Sequence, residues 1–263
     1  MKALCFTGSN LGHIVSQAPS LLCCSLEQNL SPKVSLFVAI FGSKHSLYKI
    51  ITRYPRLLMC NTDNVKPNID ILKKSSMQDE LLLYAIMVRP SLILRSEELL
   101  KSEIEYVRNL GILEGSKGFA NALVAIDSSG LENFENKLKL LTTLRLLENE
   151  ILKIVRWFPS TLSGGIDKIK KNMDFLKNTA GFQPNIVVTH SRLLTYSVEN
   201  RLLPRHKVFE FLRETDPSRL PKSLVKVYNL SERSFADKFL LGTPEAAKLF
   251  ENYKGKSVDL AIS

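Results

Sequence analysis

A proline recurs at an almost fixed step along this chain, each time after an apolar helical stretch and before a leucine-rich pair. Pro19 lies in Ala-Pro-Ser-Leu-Leu, Pro55 in Tyr-Pro-Arg-Leu-Leu, Pro90 in Arg-Pro-Ser-Leu-Ile and Pro159 in Phe-Pro-Ser-Thr-Leu. The steps are 36, 35 and 69 residues, the last being two steps with the middle proline missing. A period near 35 means one supersecondary unit copied end to end, with an extended surface rather than a single pocket. That directs function away from catalysis.

One repeat can be read residue by residue. Leu47, Ile50 and Ile51 fall on one face of a helix. Pro55 lacks an N–H and disfavours helical geometry in the residue before it, so this helix stops near Tyr54. Leu57 and Leu58 then plug apolar side chains under the helix. Asp63 or Asn64 caps a second helix, with Pro67 in its first turn and Ile69, Ile71 and Leu72 on its apolar side. Lys73 and Lys74 end it, where the helix dipole favours cations.

The neighbouring repeats follow the same plan. Ser31-Pro32 opens a helix containing Leu36 and Phe37, Ser96 opens one containing Leu99, Leu100, Ile104 and Val107, and Pro204 opens one containing Val208, Phe209 and Leu212. Another helix runs from about Asp167 through Met173 and Leu176. His190 stands where a further proline would fall, ahead of Arg192-Leu193-Leu194. In the fourth repeat Asp127-Ser128-Ser129-Gly130-Leu131 replaces the proline turn, so a looser joint is expected over residues 111–131. Ile186-Val187-Val188 is β-branched, but the repeat calls for a short helix there. Every element reads as helix, and the fold class is all-α.

The formal net charge of +10 points to an anionic partner. It is concentrated: residues Ile151 to Lys226 hold fourteen Lys and Arg against six Asp and Glu, a net +8. General basicity without a specific anion is the alternative. No apolar run reaches the roughly 18 residues of a membrane span, so no membrane partner is expected. Cys5, Cys23, Cys24 and Cys60 make no Cys-x-x-Cys pair and read as buried thiols; no metal or cofactor is expected. His13, His45, His190 and His206 have no carboxylate or cysteine at catalytic spacing, so the chain does not read as an enzyme. The run Gly111 to Gly118 fails as a phosphate loop. Ser116 replaces its second glycine and Gly118 its magnesium-binding hydroxyl, leaving a helix-ending glycine loop. Trp157 ends an apolar helix and reads as core packing ahead of base stacking. Residues 1–26 carry no acid and one base, Lys2, and the repeat pattern has begun by Leu11, so the expectation is either a very short targeting segment or a trimmed chain in place of a full organellar transit peptide.

Pro55-Arg56-Leu57-Leu58 with Pro67, and Pro19-Ser20-Leu21-Leu22 with Pro32, resemble the repeat of the mTERF (mitochondrial transcription termination factor) family in its plant form. Pro90-Ser91-Leu92-Ile93 and Pro159-Ser160-Thr161-Leu162 match in part, and Ser231 to Phe239 followed by Pro244 to Phe250 looks like the family's closing segment. The resemblance covers roughly Leu11 to Tyr253. It implies a right-handed helical-repeat solenoid of three-helix units over residues 11–253, with flexible ends at 1–10 and 254–263. Family members are usually longer at the N-terminus, so a first repeat is expected to be missing. The resemblance also implies a monomer that binds double-stranded DNA, or alternatively RNA, of a mitochondrion or chloroplast through a basic concave groove. There it would regulate transcription, its termination, or RNA processing. A protein-interaction scaffold is the alternative function. Pentatricopeptide-type repeats share the period but are helical hairpins without this proline punctuation.

The nucleic-acid contacts are expected from register. Arg53, Arg89, Arg156 and Arg192 each lie within three residues of a proline turn, and equivalent positions of stacked repeats line up. Lys168, Lys170, Lys171, Arg201, Arg205 and Lys207 would thicken that stripe in the more basic half. The plain alternative is a set of helix-end cations favoured by the dipole.

Overall fold

The computed structural model describes residues 8–158, 161–162 and 164–255. Pro159, Ser160, Cys5 and most of the expected flexible ends lie outside them. All regular structure among the described residues is helical. In chain order the helices are α1 (Gly8–Gln17), α2 (Ser31–Phe41), α3 (Lys44–Arg53), α4 (Val65–Lys74), α5 (Asp79–Val88), α6 (Glu97–Asn109), α7 (Lys117–Ser129) and α8 (Leu131–Thr143). They continue with α9 (Glu148–Trp157), α10 (Ile166–Asp174), α11 (Ile186–Thr189), α12 (Leu203–Thr215), α13 (Leu224–Asn229), α14 (Glu232–Phe235) and α15 (Pro244–Tyr253). Contacts divide the chain into two compact halves, Met1–Leu131 and Glu132–Ser263.

A repeat consists of a lead helix, a short 3-10 turn, a return helix and a left-handed stop. The lead helices α1, α3, α5, α9 and α11 each give way to a residue with φ between −130° and −143° and ψ between 45° and 86°: Ala18, Tyr54, Arg89, Phe158 and His190. That residue serves both sides of the corner. Its N–H closes the last helical bond, as in Tyr54 to the Ile50 carbonyl (2.7 Å) and Arg89 to Ala85 (2.8 Å). Its carbonyl accepts the first bond of the turn, from Leu57 (3.1 Å) and Leu92 (3.2 Å) respectively. The turn buries the expected apolar pair: Leu57, Leu58, Leu92, Ile93 and Leu193 are wholly buried.

His190 adopts this extended geometry itself, and the turn it precedes is Ser191–Thr195. The proline position of that repeat is therefore Ser191, one residue later than the spacing suggests. Since no proline follows His190, proline reinforces the corner rather than creating it. Asp216 repeats the geometry (φ −149°, ψ 74°) before Pro217, a corner that the proline spacing does not reveal.

The return helices holding Pro32 and Pro204 begin earlier than those prolines. Ser25 and Ser197 cap them, their hydroxyls accepting from the N–H groups of Gln28 (3.1 Å) and Asn200 (3.0 Å). In both, a five-residue π turn, Leu26–Leu30 or Val198–Leu202, runs up to the proline-bearing helix. A proline inside a helix removes one N–H and drives its ring toward the carbonyl four residues back; the wider turn relieves that crowding. Return helices stop at residues in the left-handed region, Gly42, Ser76, Gly111, Arg145 and Gly181, with φ from 59° to 74°. Gly111 thus ends α6 as expected for a glycine loop. Nearby Gly115 (φ 69°) has a second constraint, because a Cβ there would meet the Ser76 carbonyl oxygen at 2.7 Å.

The fourth repeat lacks the 3-10 turn, with Gly130 (φ 80°, ψ 152°) leading straight into α8. The joint itself, residues 127–130, is half-buried or exposed, and the boundary between the two compact halves falls just after it; the helix leading into it is packed. Every residue from Phe119 to Ile126 is buried, because α7 is apolar or small on all sides.

The fold makes two stability predictions. Leu58→Ala should cost roughly 2–5 kcal/mol by leaving a cavity under α3, whereas Pro55→Ala should move the melting midpoint little. Arg145→Gly should raise stability by about 1 kcal/mol, since a side chain in left-handed geometry costs about that much; a fall in midpoint for this change would contradict the strain.

Candidate nucleic-acid interface

The turn edge is held together by one polar side chain from each return helix. Lys33, Asn68, Glu103, Lys137, Asn172 and Arg205 follow one another at steps of 35, 35, 34, 35 and 33 residues. The last five are at most 3% exposed. Most reach forward to carbonyls that end the next repeat's turn. Lys33 Nζ donates to the Leu58 carbonyl (3.2 Å) and Lys137 Nζ to Leu162 (2.6 Å). Asn68 Nδ2 donates to Arg95 (2.8 Å), and Asn172 Nδ2 to both Leu193 (2.7 Å) and Tyr196 (2.9 Å). Arg205 Nη1 donates to Val227 (3.1 Å), Tyr228 (3.1 Å) and Leu230 (2.6 Å), while Nη2 bonds Glu232 (2.9 Å).

Glu103 reverses the chemistry where the next turn is missing. It pairs with Arg95, whose Nε bonds the Asp127 carboxylate (2.7 Å) and whose Nη2 reaches the Asp127 carbonyl (3.3 Å). Ser91 donates to the other oxygen of Asp127 (2.6 Å). Burial pushes the Glu103 carboxyl up despite Arg95, and pushes the Lys137 ammonium down.

This framework sorts the ten predicted cations. Arg205 is fully buried, with its guanidinium also 4.6 Å from the Phe235 ring centroid. This corrects its assignment to a solvent-facing stripe: it holds the Leu224–Leu230 segment. Arg201 is half-buried, bonding the Tyr228 (3.1 Å) and Leu230 (2.6 Å) carbonyls and lying 4.2 Å from the Tyr196 ring centroid. Lys171 pairs with Glu199, whose carboxyl it holds below the usual range. Lys207 pairs with Glu210 (2.8 Å).

Arg53, Lys168, Lys170 and Arg192 are exposed, and Arg89 and Arg156 half-buried. The four arginines do not share a repeat position. Counted from the repeat's proline, or from Ser191 in its place, Arg53 stands two before, Arg89 one before, Arg156 three before and Arg192 one after. The residue equivalent to Arg192 is Arg56, exposed and missed by sequence reasoning although both occur as Arg-Leu-Leu.

In the C-terminal half the structure does bring Lys168 and Arg192 together. They line a depression of about 480 Å³ with Thr161, Gly164, Thr195 and Tyr196, and among the described residues no acidic side chain lines it. Lys168 Nζ donates to the Thr195 carbonyl (2.7 Å), fixing its side chain at the rim. Trp157 overturns its expected core role: it is 69% exposed at the end of α9, next to Arg156. Cys23 is exposed and Cys24 and Cys60 half-buried, so these thiols are not core residues either. Among the described residues no cluster of three or more His, Cys, Asp or Glu could hold a metal ion.

Helical units of about 35 residues, most closed by a 3-10 corner and tied to the next by a buried or half-buried polar side chain, define an all-helical repeat protein. The chain belongs to the mTERF family, whose model matches residues 6–236. It is 24% identical over 97% of its length to the Arabidopsis thaliana protein "Transcription termination factor MTERF15, mitochondrial", covering 57% of that protein. It is 19% identical over 86% of its length to "Transcription termination factor MTERF8, chloroplastic" of the same plant, covering 44% of it. The chain thus spans about half the length of the curated relatives it matches.

Two measurements separate framework from surface. Arg205→Met should cost on the order of 3 kcal/mol by stranding buried carbonyls, while Arg192→Ala should leave the melting midpoint unchanged. Beside Arg205, His206 is buried with its Nδ1 2.9 Å from the Tyr228 hydroxyl. Burial holds it below the usual imidazole range, Lys207 and Arg213 add to that, and Glu210 opposes. Its contribution to stability is therefore complete above the unfolded value of about 6.5 and lost as pH falls below it. The melting midpoint should drop between pH 7.5 and 5.0, and drop less in His206→Gln.

Proposed function

We propose that this chain binds nucleic acid in an organelle and regulates transcription there, acting in termination, with RNA processing as the alternative. Family membership supports the regulatory class, and relatives named as mitochondrial and chloroplastic termination factors support an organelle without choosing between the two. The repeats would stack as a right-handed solenoid whose concave groove takes double-stranded DNA.

The observation that carries the reading is the depression bearing Lys168 and Arg192 with no neutralising acid among the described residues. Phosphate contacts need cations that are exposed and not already paired, and Lys170, Arg192 and Arg53 meet that description among the described residues. Arginine's planar fork can bond two phosphate oxygens at once. Such contacts fix register on a strand without reading its bases, so sequence preference must come from other contacts or from deformation of the duplex.

Trp157 is the chain's single tryptophan and is exposed, which makes its fluorescence a direct reporter. Titration with a mixed-sequence DNA duplex over a potassium chloride series should show affinity falling with salt, with a slope of about 0.9 per phosphate neutralised. Replacing Lys168, Lys170 and Arg192 together by alanine should weaken binding and flatten that slope while the melting midpoint holds. The same titration with RNA tests the alternative. A folded protein that binds neither polymer, even at low salt, would contradict the proposal.

A further inference from the structure

A second cleft, of about 640 Å³, opens in the C-terminal half between His190 and the segment from Arg219 to Phe239. Its floor is aliphatic, built from Leu220, Pro221, Val225 and Leu230 over the buried ring of Phe239. Its rim is cationic. Among the described residues Lys226 and Lys238, both exposed, make no ion pair, and no aspartate or glutamate lines the cleft. Arg219 holds the wall in place, bonding the Thr243 hydroxyl and the carbonyls of Lys238 (2.7 Å) and Leu241 (3.4 Å). The cleft is therefore pre-formed, and its apolar floor is available.

We propose that this cleft docks a short acidic peptide of a partner protein, which inserts one bulky apolar side chain between flanking aspartates or glutamates. Concave apolar sites with a few charged groups at the mouth recognise ligands that are apolar at the centre and oppositely charged at the edges. A peptide fits the lining better than a nucleotide does. A base would bring polar edges onto an aliphatic floor, where unpaired donors and acceptors are costly; of the two aromatic rings among the described lining residues, Phe239 is buried and offers no face for stacking, and only His190, exposed at the edge, could offer one. A leucine or phenylalanine side chain leaves nothing unpaired. The inference does not depend on the nucleic-acid reading, because Lys226 and Lys238 lie outside the Lys168–Arg192 depression.

The test is selection of phage-displayed random dodecapeptides on the full chain in about 0.15 M salt, near the physiological range where surface charges are substantially screened. The expected result is enrichment of peptides with a central Leu, Phe or Trp between acidic residues. The strongest, synthesised with a fluorescent label, should bind with anisotropy that weakens at least tenfold when Lys226→Glu and Lys238→Glu are combined. The milder pair Lys226→Gln and Lys238→Gln, with unchanged circular dichroism, should weaken it in the same direction and guards against misfolding. Failure to enrich an acidic-apolar motif, or an enriched peptide indifferent to both pairs, would overturn the proposal. So would displacement of the peptide by a single-stranded oligonucleotide whose own binding is lost with the same pairs, which would give the cleft to nucleic acid instead.

Discussion

A turn that closes a helical corner ends in carbonyls that its own N–H groups cannot reach. Buried against the next repeat, each unsatisfied carbonyl would cost about 1–3 kcal/mol. This chain meets that requirement with one polar side chain per return helix, at Lys33, Asn68, Lys137, Asn172 and Arg205. The leucine pairs supply buried area, but area is tolerant of small slips. A hydrogen bond to a particular carbonyl is not, so the polar side chain sets the register in which adjacent repeats meet. The exception supports the same logic. Where the fourth repeat has no turn, the return helix carries an acid, Glu103, and the pairing passes through Arg95 to Asp127.

Much of the fold was legible in the sequence because it is written in strong local signals. Proline ends a helix by removing an N–H, and that places the corners at Tyr54 and Arg89 without any tertiary knowledge. The helical reading of Ile186-Val187-Val188 held because the repeat outweighed β-branching. What stayed hidden is what local signals do not encode. His190 adopts the corner geometry without a following proline, and α2 and α12 are preceded by π turns that ordinary helical periodicity does not anticipate. The residues 111–131 contain glycines and lack a proline, yet α7 is the most continuously buried helix of its half, because its alanines let neighbours approach closely.

The candidate site was legible only in outline. Charge density located the basic segment, but a count of cations cannot tell a side chain facing solvent from one facing a carbonyl. Arg205 and Arg192 look alike in sequence; one is a wholly buried fastener and the other stands at the rim of an open depression. The 35-residue step of the polar residues was present in the sequence all along, without the gap that interrupts the prolines. It is invisible to a search for apolar periodicity because it consists of unlike residues: two lysines, two asparagines, a glutamate and an arginine. Trp157 illustrates the converse error, an aromatic residue at the end of an apolar helix that faces outward. The basic surface is thus smaller than the composition suggests, and it is made by those cations that the framework leaves unoccupied.

The claim that buried polar side chains lock successive repeats together is tested most directly at Asn172, by hydrogen exchange on Asn172→Leu. Leucine is close to asparagine in volume and adds apolar contact, so packing alone would leave the protein as stable as before. The register account predicts faster exchange confined to residues 191–202, whose turn carbonyls lose their donor and whose cap at Ser197 follows directly, with the Arg205 segment still protected. Unchanged protection across 191–202 would show that apolar packing alone fixes the repeat spacing, and would contradict the account.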